Sequence, residues 1–305
     1  MNLSMPPQSA AKSAQDNHPN VTSTSLAGRA GLFILLLICS LVVFLLGPKH
    51  YQLFPTNGNI IYAVFLTIIF LFTALLLRSS KKLDRYWQIA YAFFVASAVI
   101  TVTDLLGDYN PSFLRFFNVT PDTNPAYGLE KVYEALLVVI PILVLTLVSG
   151  ADLGSIFLKI GNQNRNWGFG IGSLVLVNYF TSVLIFFGSG YELPKLGSAI
   201  VWGVVFSLCN SLLEELWIRG LLMRKLIPLV GAAGTVLLTS ITFASIHFLG
   251  VAYLPATVVP VFVINTFTLG LACGILMLKT DSIWGAFLIH AAADLFLFIS
   301  TLAAR

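Results

Sequence analysis

The sequence predicts an all-α, polytopic transmembrane helical bundle of about eight or nine spans with no sheet. Two observations carry this. Hydrophobic residues make up 57% of the 305-residue chain and charged residues only 10%, against about 25% charged in soluble domains; mean hydropathy is +0.89. The apolar residues also fall into runs near the ~20 needed to cross a ~30 Å hydrocarbon core, separated by short loops that hold most of the Lys and Arg.

Taken in order, residues 1–30 read as a disordered polar tail rich in Ser, Thr, Pro and Asn, with Lys12 and Arg29 as its only cations. That is too long and too weakly basic for a signal peptide, and not Arg-rich enough for a transit peptide. The run from Gly31 to Gly47 has no clear small-x-small cleavage site, so it is expected to be a retained helix at 31–47. Apolar runs then place helices near 59–77 and 87–106, with little polar chemistry in either. The longest loop, about 108–130, follows and is expected to pack back as a partly ordered lid. Further helices are expected near 132–150, 168–188, 196–222, 234–250, 256–278 and 282–302. The composition shift near 130 suggests three parts: the tail (1–30), accessory helices (31–130) and a catalytic transmembrane unit (131–305).

Orientation follows from the Lys/Arg distribution. With the N-terminus inside, inner segments hold 11 basic residues and outer ones 5, the cluster Arg78, Lys81, Lys82 and Arg85 weighing most. The excess predicts a cytoplasmic N-terminus in a multi-pass protein, most simply in a bacterial-type plasma membrane. The net charge of +4 lies in separate short loops, which argues against nucleic acid as a partner. Cys39, Cys209 and Cys273 are widely spaced in apolar runs, so neither disulfides nor thiolate metal sites are expected.

Against this apolar background a few ionisable residues stand out. Glu214, Glu215 and Arg219 share one span, Phe243 and His247 the next, His290 and Asp294 the last. Each ionisable group at membrane depth costs roughly 2.5–3.5 kcal/mol on insertion scales, so such groups usually mark a site. At ~1.5 Å rise per residue they fall ~12–20 Å from the inner ends of their helices, in one band of the bilayer. Glu215 and Arg219 stand at i,i+4 in the favourable order for an ion pair. Glu214, rotated by about 100°, is then left to face a pocket. His290 and Asp294 share a face, as do Phe243 and His247. A carboxylate and a histidine can share a water, and a second histidine can donate to an oxyanion, which fits amide hydrolysis by activated water. Ser211 and Ser245 lack any nucleophile-elbow setting. Asp104 and Glu134 sit near outer helix ends, where interfacial solvation would satisfy them. Asn210 and Asn265 are polar and able to face inward, without an assigned role.

The ordered set E-E-x-x-x-R, F-x-x-x-H and H-x-x-x-D resembles the CPBP family of intramembrane proteases (CAAX proteases and bacteriocin-processing enzymes, also called Abi), which includes the type II CAAX prenyl endopeptidases. The resemblance covers roughly residues 130–302. It implies an endopeptidase that cuts a membrane-associated or prenylated protein or peptide within the bilayer. By similarity, Glu214 and His247 would activate water and His290 and residue 294 would stabilise the oxyanion; Glu215 is expected to be catalytic with these four, and Arg219 and Phe243 to support them. Well-understood members carry Asn where this chain has Asp294, and an ionised Asp cannot donate to an oxyanion. Asp294 would then orient His290 or favour a metal. No cofactor is required by the favoured reading; zinc held by Glu214, His247, His290 and Asp294 is the metalloprotease alternative. A non-catalytic scaffold or bacteriocin-immunity factor that keeps the pocket is a further alternative.

Overall fold

The computed structural model describes residues 26–48, 58–162, 196–250 and 259–301, together with a few positions between 168 and 176. Nine α-helices are described: α1 (Leu26–Phe44), α2 (Gly58–Ser79), α3 (Trp87–Leu106), the short α4 (Asn110–Phe116), α5 (Asn124–Val148), α6 (Leu196–Glu214), α7 (Leu221–Gly250), α8 (Val259–Thr280) and α9 (Trp284–Thr301). A six-residue π-helix, Glu215–Gly220, joins α6 to α7. No strand occurs among the described residues. Large apolar side chains such as Ile61, Phe65, Ile68 and Phe72 point outward from α2, which only a lipid surround makes favourable. Among the described residues six segments are long and apolar enough to cross a membrane, and Trp284–Phe298 is a shorter apolar helix. The chain is a multi-pass integral membrane protein.

Several expectations need correction. The first helix begins at Leu26, inside the stretch expected to be tail; residues 1–25 lie outside the described part, as does most of the helix expected at 168–188. The loop expected at 108–130 is mostly helical. α4 occupies its start, and α5 begins at Asn124, eight residues early, because Thr123 accepts from the Ala126 amide at 3.4 Å and Pro125 opens the first turn. The expected part boundary at 130/131 therefore falls within α5. Asp104 is buried at 5% exposure rather than solvated. The helix expected to end at 222 runs on, and the break before the next comes at a single residue, Gly231, whose φ of 79° suits only a residue without Cβ.

α6 lies between α5 and α9, α7 packs on α8, and α1 and α3 pack on α7. Close approach needs small residues. A Cβ on Gly128 of α5 would sit 2.7 Å from the Trp202 ring of α6. At the Arg224 end of α7, the segment 152–162 is tied to the α8–α9 turn. Ser282 Oγ donates to the Lys159 carbonyl at 2.7 Å, and Lys159 and Arg224 both pair with Asp281. Burial pushes the Asp281 carboxyl up, but the hydrogen bonds from Lys159 and Arg224 outweigh it and hold it below the usual carboxylate range. The same end of the bundle is thus stapled by charge, while its middle is left to hold the polar residues.

Candidate active site

The π-helix sets the geometry. Glu214 is the last residue of α6 and Glu215 the first of the π-helix. An i→i+5 turn inside an otherwise regular helix is rare and is frequently found at functional sites. It is held from outside by Trp217, whose Nε1 donates to the Ala96 carbonyl of α3 at 3.2 Å and whose ring meets Phe44 of α1 at 5.1 Å. The third and first helices, outside the three-motif set, thus brace the turn that carries the glutamates.

Glu215 and Arg219 form the expected ion pair, and both side chains are 0% exposed. Glu215 Oε1 also accepts from His290 Nδ1 at 2.8 Å. This second bond assigns the proton on Nδ1 and aims Nε2 at the remaining acids: Glu214 Oε2 lies 3.6 Å away and Asp294 Oδ1 3.5 Å. His247 donates from Nδ1 to its own helix, to the Phe243 carbonyl at 2.9 Å. Its Nε2 then faces Glu214 Oε2 at 3.8 Å. Glu214 Oε2 is buried and has no hydrogen-bond partner among the described residues. Both separations exceed a direct hydrogen bond, and polar groups so placed call for a bridging molecule. Glu214 and His247 keep side-chain exposures of 20% and 23%, whereas His290 is at 1%. Two of the polar groups therefore reach an accessible space, and the third is locked behind them.

Phe243 is more than wall. It is fully buried, its ring lies 4.3 Å from that of His247 and 5.3 Å, edge on, from that of His290, and the Arg219 guanidinium sits 4.5 Å over its centre. One aromatic side chain thus spaces both histidines and covers the buried cation. All seven residues expected at the site, Glu214, Glu215, Arg219, Phe243, His247, His290 and Asp294, lie together. Ser211 is spent on its own helix, donating to the Ser207 carbonyl at 2.7 Å.

Two neighbours were not assigned from sequence. Asn210 Nδ2 donates to Asp294 Oδ2 at 3.0 Å; its position one turn before Glu214 was the available signal. Lys131 of α5 has its ammonium 2.6 Å from Glu134 and 5.5 Å from the Phe206 ring, so Glu134 is ion-paired rather than merely solvated. Nothing in the local sequence of α5 directs Lys131 toward α6.

As for zinc, no group of three or more His, Cys, Asp or Glu among the described residues is arranged to hold a metal ion. His290 Nδ1 is taken by Glu215 and His247 Nδ1 by its own backbone. Each histidine is left one nitrogen, and both of these look toward the same oxygen of Glu214.

A cavity of about 550 Å³, lined by residues that include Leu45, Ala244, Phe248, Val263 and Phe267, lies along the α7 turn that carries His247. Its lining is almost wholly apolar.

The fold and these residues define a multi-pass helical membrane protein with a buried Glu/His/Asp cluster. Residues 196–296, within α6–α9, match the family model described as Type II CAAX prenyl endopeptidase Rce1-like. No curated protein and no solved structure matches the chain.

Proposed function

We propose that this protein is an intramembrane endopeptidase that hydrolyses a peptide bond of a membrane-associated, prenylated protein or peptide, using water activated by Glu214. The single observation that carries the reading is the unpartnered Glu214 Oε2, faced by Nε2 of both His247 and His290. A water there would be gripped by a base and placed beside a donor.

In the proposed reaction, the water oxygen attacks the scissile carbonyl carbon as its proton passes to Glu214, with His247 Nε2 orienting the water. His290 is held by Glu215 through Nδ1 and donates from Nε2 to the oxyanion, which makes it an imidazolium balanced by the surrounding carboxylates. Asp294, fixed by Asn210, orients that ring rather than donating itself. Collapse breaks the C–N bond. Glu214 returns its proton to the leaving amine, giving a new carboxylate and a new N-terminus. The apolar cavity, lined in part by Ala244 and Phe248 of the helix that carries His247, suits a lipid chain on the substrate. No step is routed through a metal.

The catalytic unit would run from α5 to α9, with α1–α3 as its brace and the N-terminus in the cytoplasm, as the Lys/Arg excess suggests. The test is Glu214→Gln in purified protein supplied with a farnesylated peptide, with and without a chelator. A fall of about 10²–10⁴-fold in turnover with the fold retained is expected. Undiminished cleavage by the variant would overturn the glutamate mechanism, and cleavage abolished by chelator alone would favour the metalloprotease alternative. A membrane phenotype that survives Glu214→Gln would favour the scaffold or immunity reading.

A further inference from the structure

The turn that joins α2 to α3 holds the densest group of cations in the sequence, and the reading above gives it no task. Arg78, Lys81, Lys82 and Arg85 fall close together, with Asp84 as the one acid among them. All four cations are exposed, and among the described residues none is in an ion pair. The two arginines are nevertheless held in place. The Arg78 guanidinium sits 5.0 Å over the centre of the Trp87 ring, and that of Arg85 sits 4.6 Å over the ring of Tyr86, to whose hydroxyl it also donates. A guanidinium stacked on a ring keeps N–H groups at its edge, and that planar fork matches the oxygens of a phosphate. Two such forks stand on the rings of consecutive residues, with no carboxylate to fill them.

The surroundings say what kind of anion they meet. Outward-facing apolar surface on α2 runs through Leu75 and Leu76, at 56% and 54% exposure, and the cations begin two residues later at Arg78. Leu83, also exposed, lies between the lysines and Arg85. Trp87 meets Tyr91 edge on at 6.1 Å, so three aromatic residues, Tyr86, Trp87 and Tyr91, mark the start of α3. Trp and Tyr are enriched where hydrocarbon gives way to lipid headgroups. The turn therefore stands at headgroup level, continuous with the lipid-facing side of α2. An acidic protein segment would answer its charge but would leave Leu83 and the adjoining apolar surface unmatched. Neighbouring cations at this end are already engaged. Tyr91 donates to the Leu145 carbonyl at 2.8 Å, which places the turn beside the end of α5 and the segment 152–162 that follows. There Lys159 and Arg224 pair with Asp281, and Lys225 donates to the Ser155 carbonyl at 2.9 Å.

We propose that the α2–α3 turn is a binding site for the headgroup of an anionic phospholipid, one whose phosphate carries no ammonium of its own. Arg78 and Arg85 hold the phosphate, and Lys81 and Lys82 add attraction around it. The acyl chains lie along α2 beside Leu75 and Leu76, and Leu83 reaches into the same leaflet. The site is independent of the proteolytic reading of Glu214.

The experiment offers the full chain in micelles an equimolar mixture of phosphatidylglycerol and phosphatidylcholine with identical acyl chains, and counts bound lipids by native mass spectrometry. Wild type should retain phosphatidylglycerol in preference by about tenfold or more. Arg78→Lys/Arg85→Lys keeps the charge but loses the stacked forks, and its preference should fall to about threefold or less. Arg78→Gln/Arg85→Gln should come close to unity. Arg115→Gln, on α4 beyond the other end of α3, should leave the preference unchanged. Phosphatidylglycerol should also raise the melting temperature of wild type more than phosphatidylcholine does, and the glutamine variant should lose that difference. Equal retention of the two lipids by wild type overturns the proposal. So does a lysine variant with the full preference, which would mean diffuse surface charge rather than a site. Displacement of the lipid by excess inorganic phosphate would replace it with a free anion. Binding of a glutamate-rich peptide without any lipid preference would replace it with a protein partner. If a variant does not fold, the wild-type ratio and the phosphate competition still decide.

Discussion

Replacing Arg219 by Met removes the charge that lets Glu215 exist inside the bundle. Both side chains of this pair are 0% exposed. Breaking a buried pair by deleting one partner costs about 3–5 kcal/mol, because an uncompensated charge is left behind. Loss of the guanidinium over Phe243 removes a cation–π contact of up to ~2 kcal/mol. Arg219→Met is therefore expected to destabilise by about 4–5 kcal/mol. Glu215→Gln keeps an acceptor for His290 Nδ1 but strands Arg219, at about 3 kcal/mol. Combined, the two changes leave no buried unpaired charge, so the double variant should lose about 2 kcal/mol less than the sum. Reversible SDS-titrated unfolding in mixed micelles, followed by tryptophan fluorescence, measures all four corners of this cycle. Additivity within ~0.5 kcal/mol would mean that the residues do not act as a pair, and would refute the reasoning.

Three shorter predictions follow from other contacts. A Cβ on Gly270 would lie 3.1 Å from Ser240 and 3.2 Å from Arg219 Nη2, so Gly270→Ala should cost about 1–3 kcal/mol in the same assay through overpacking. Trp217→Phe keeps a ring against Phe44 but deletes the donor to Ala96; a loss of about 1 kcal/mol is expected, with a larger fall in peptide turnover than in peptide binding if this contact holds the π-helix in register. Asp281→Asn tests the staple at the end of the bundle. The Asp281 carboxyl is held low by Lys159 and Arg224, so its contribution is present above the unfolded value of about 3.9 and disappears as pH falls through the lower folded value. The side chain is 38% exposed, which limits the effect to about 1 kcal/mol or less. Melting curves of variant and wild type should differ at pH 7 and converge as pH falls through the lowered folded value.

How much of this was legible in advance depends on the range of each interaction. The third helix was expected at 87–106 and lies there, because its ends are set by local features: the charged turn before it and the Gly–Asp that follows. The start of α5 was missed because Glu130 and Lys131 interrupt the apolar run, so hydropathy cannot see the helix there. Thr123 and Pro125 were the overlooked signal.

The same division runs through the site. Residue identity and order along the chain marked Glu214, Glu215, Arg219, Phe243, His247, His290 and Asp294, since ionisable side chains in apolar runs are costly wherever the helices lie. The Glu215–Arg219 pair was visible too, being four residues apart on one helix. Only the packed helices could decide that His290 Nδ1 is given to Glu215 rather than Glu214, that Asn210 holds Asp294, and that one phenylalanine spaces both histidines. The first two contacts join residues 75 and 84 positions apart. Helices that are apolar nearly all round carry little information about which face meets which neighbour. That choice falls to close approach at residues such as Gly128 and Gly270 and to the satisfaction of a few buried charges, both properties of the assembled bundle.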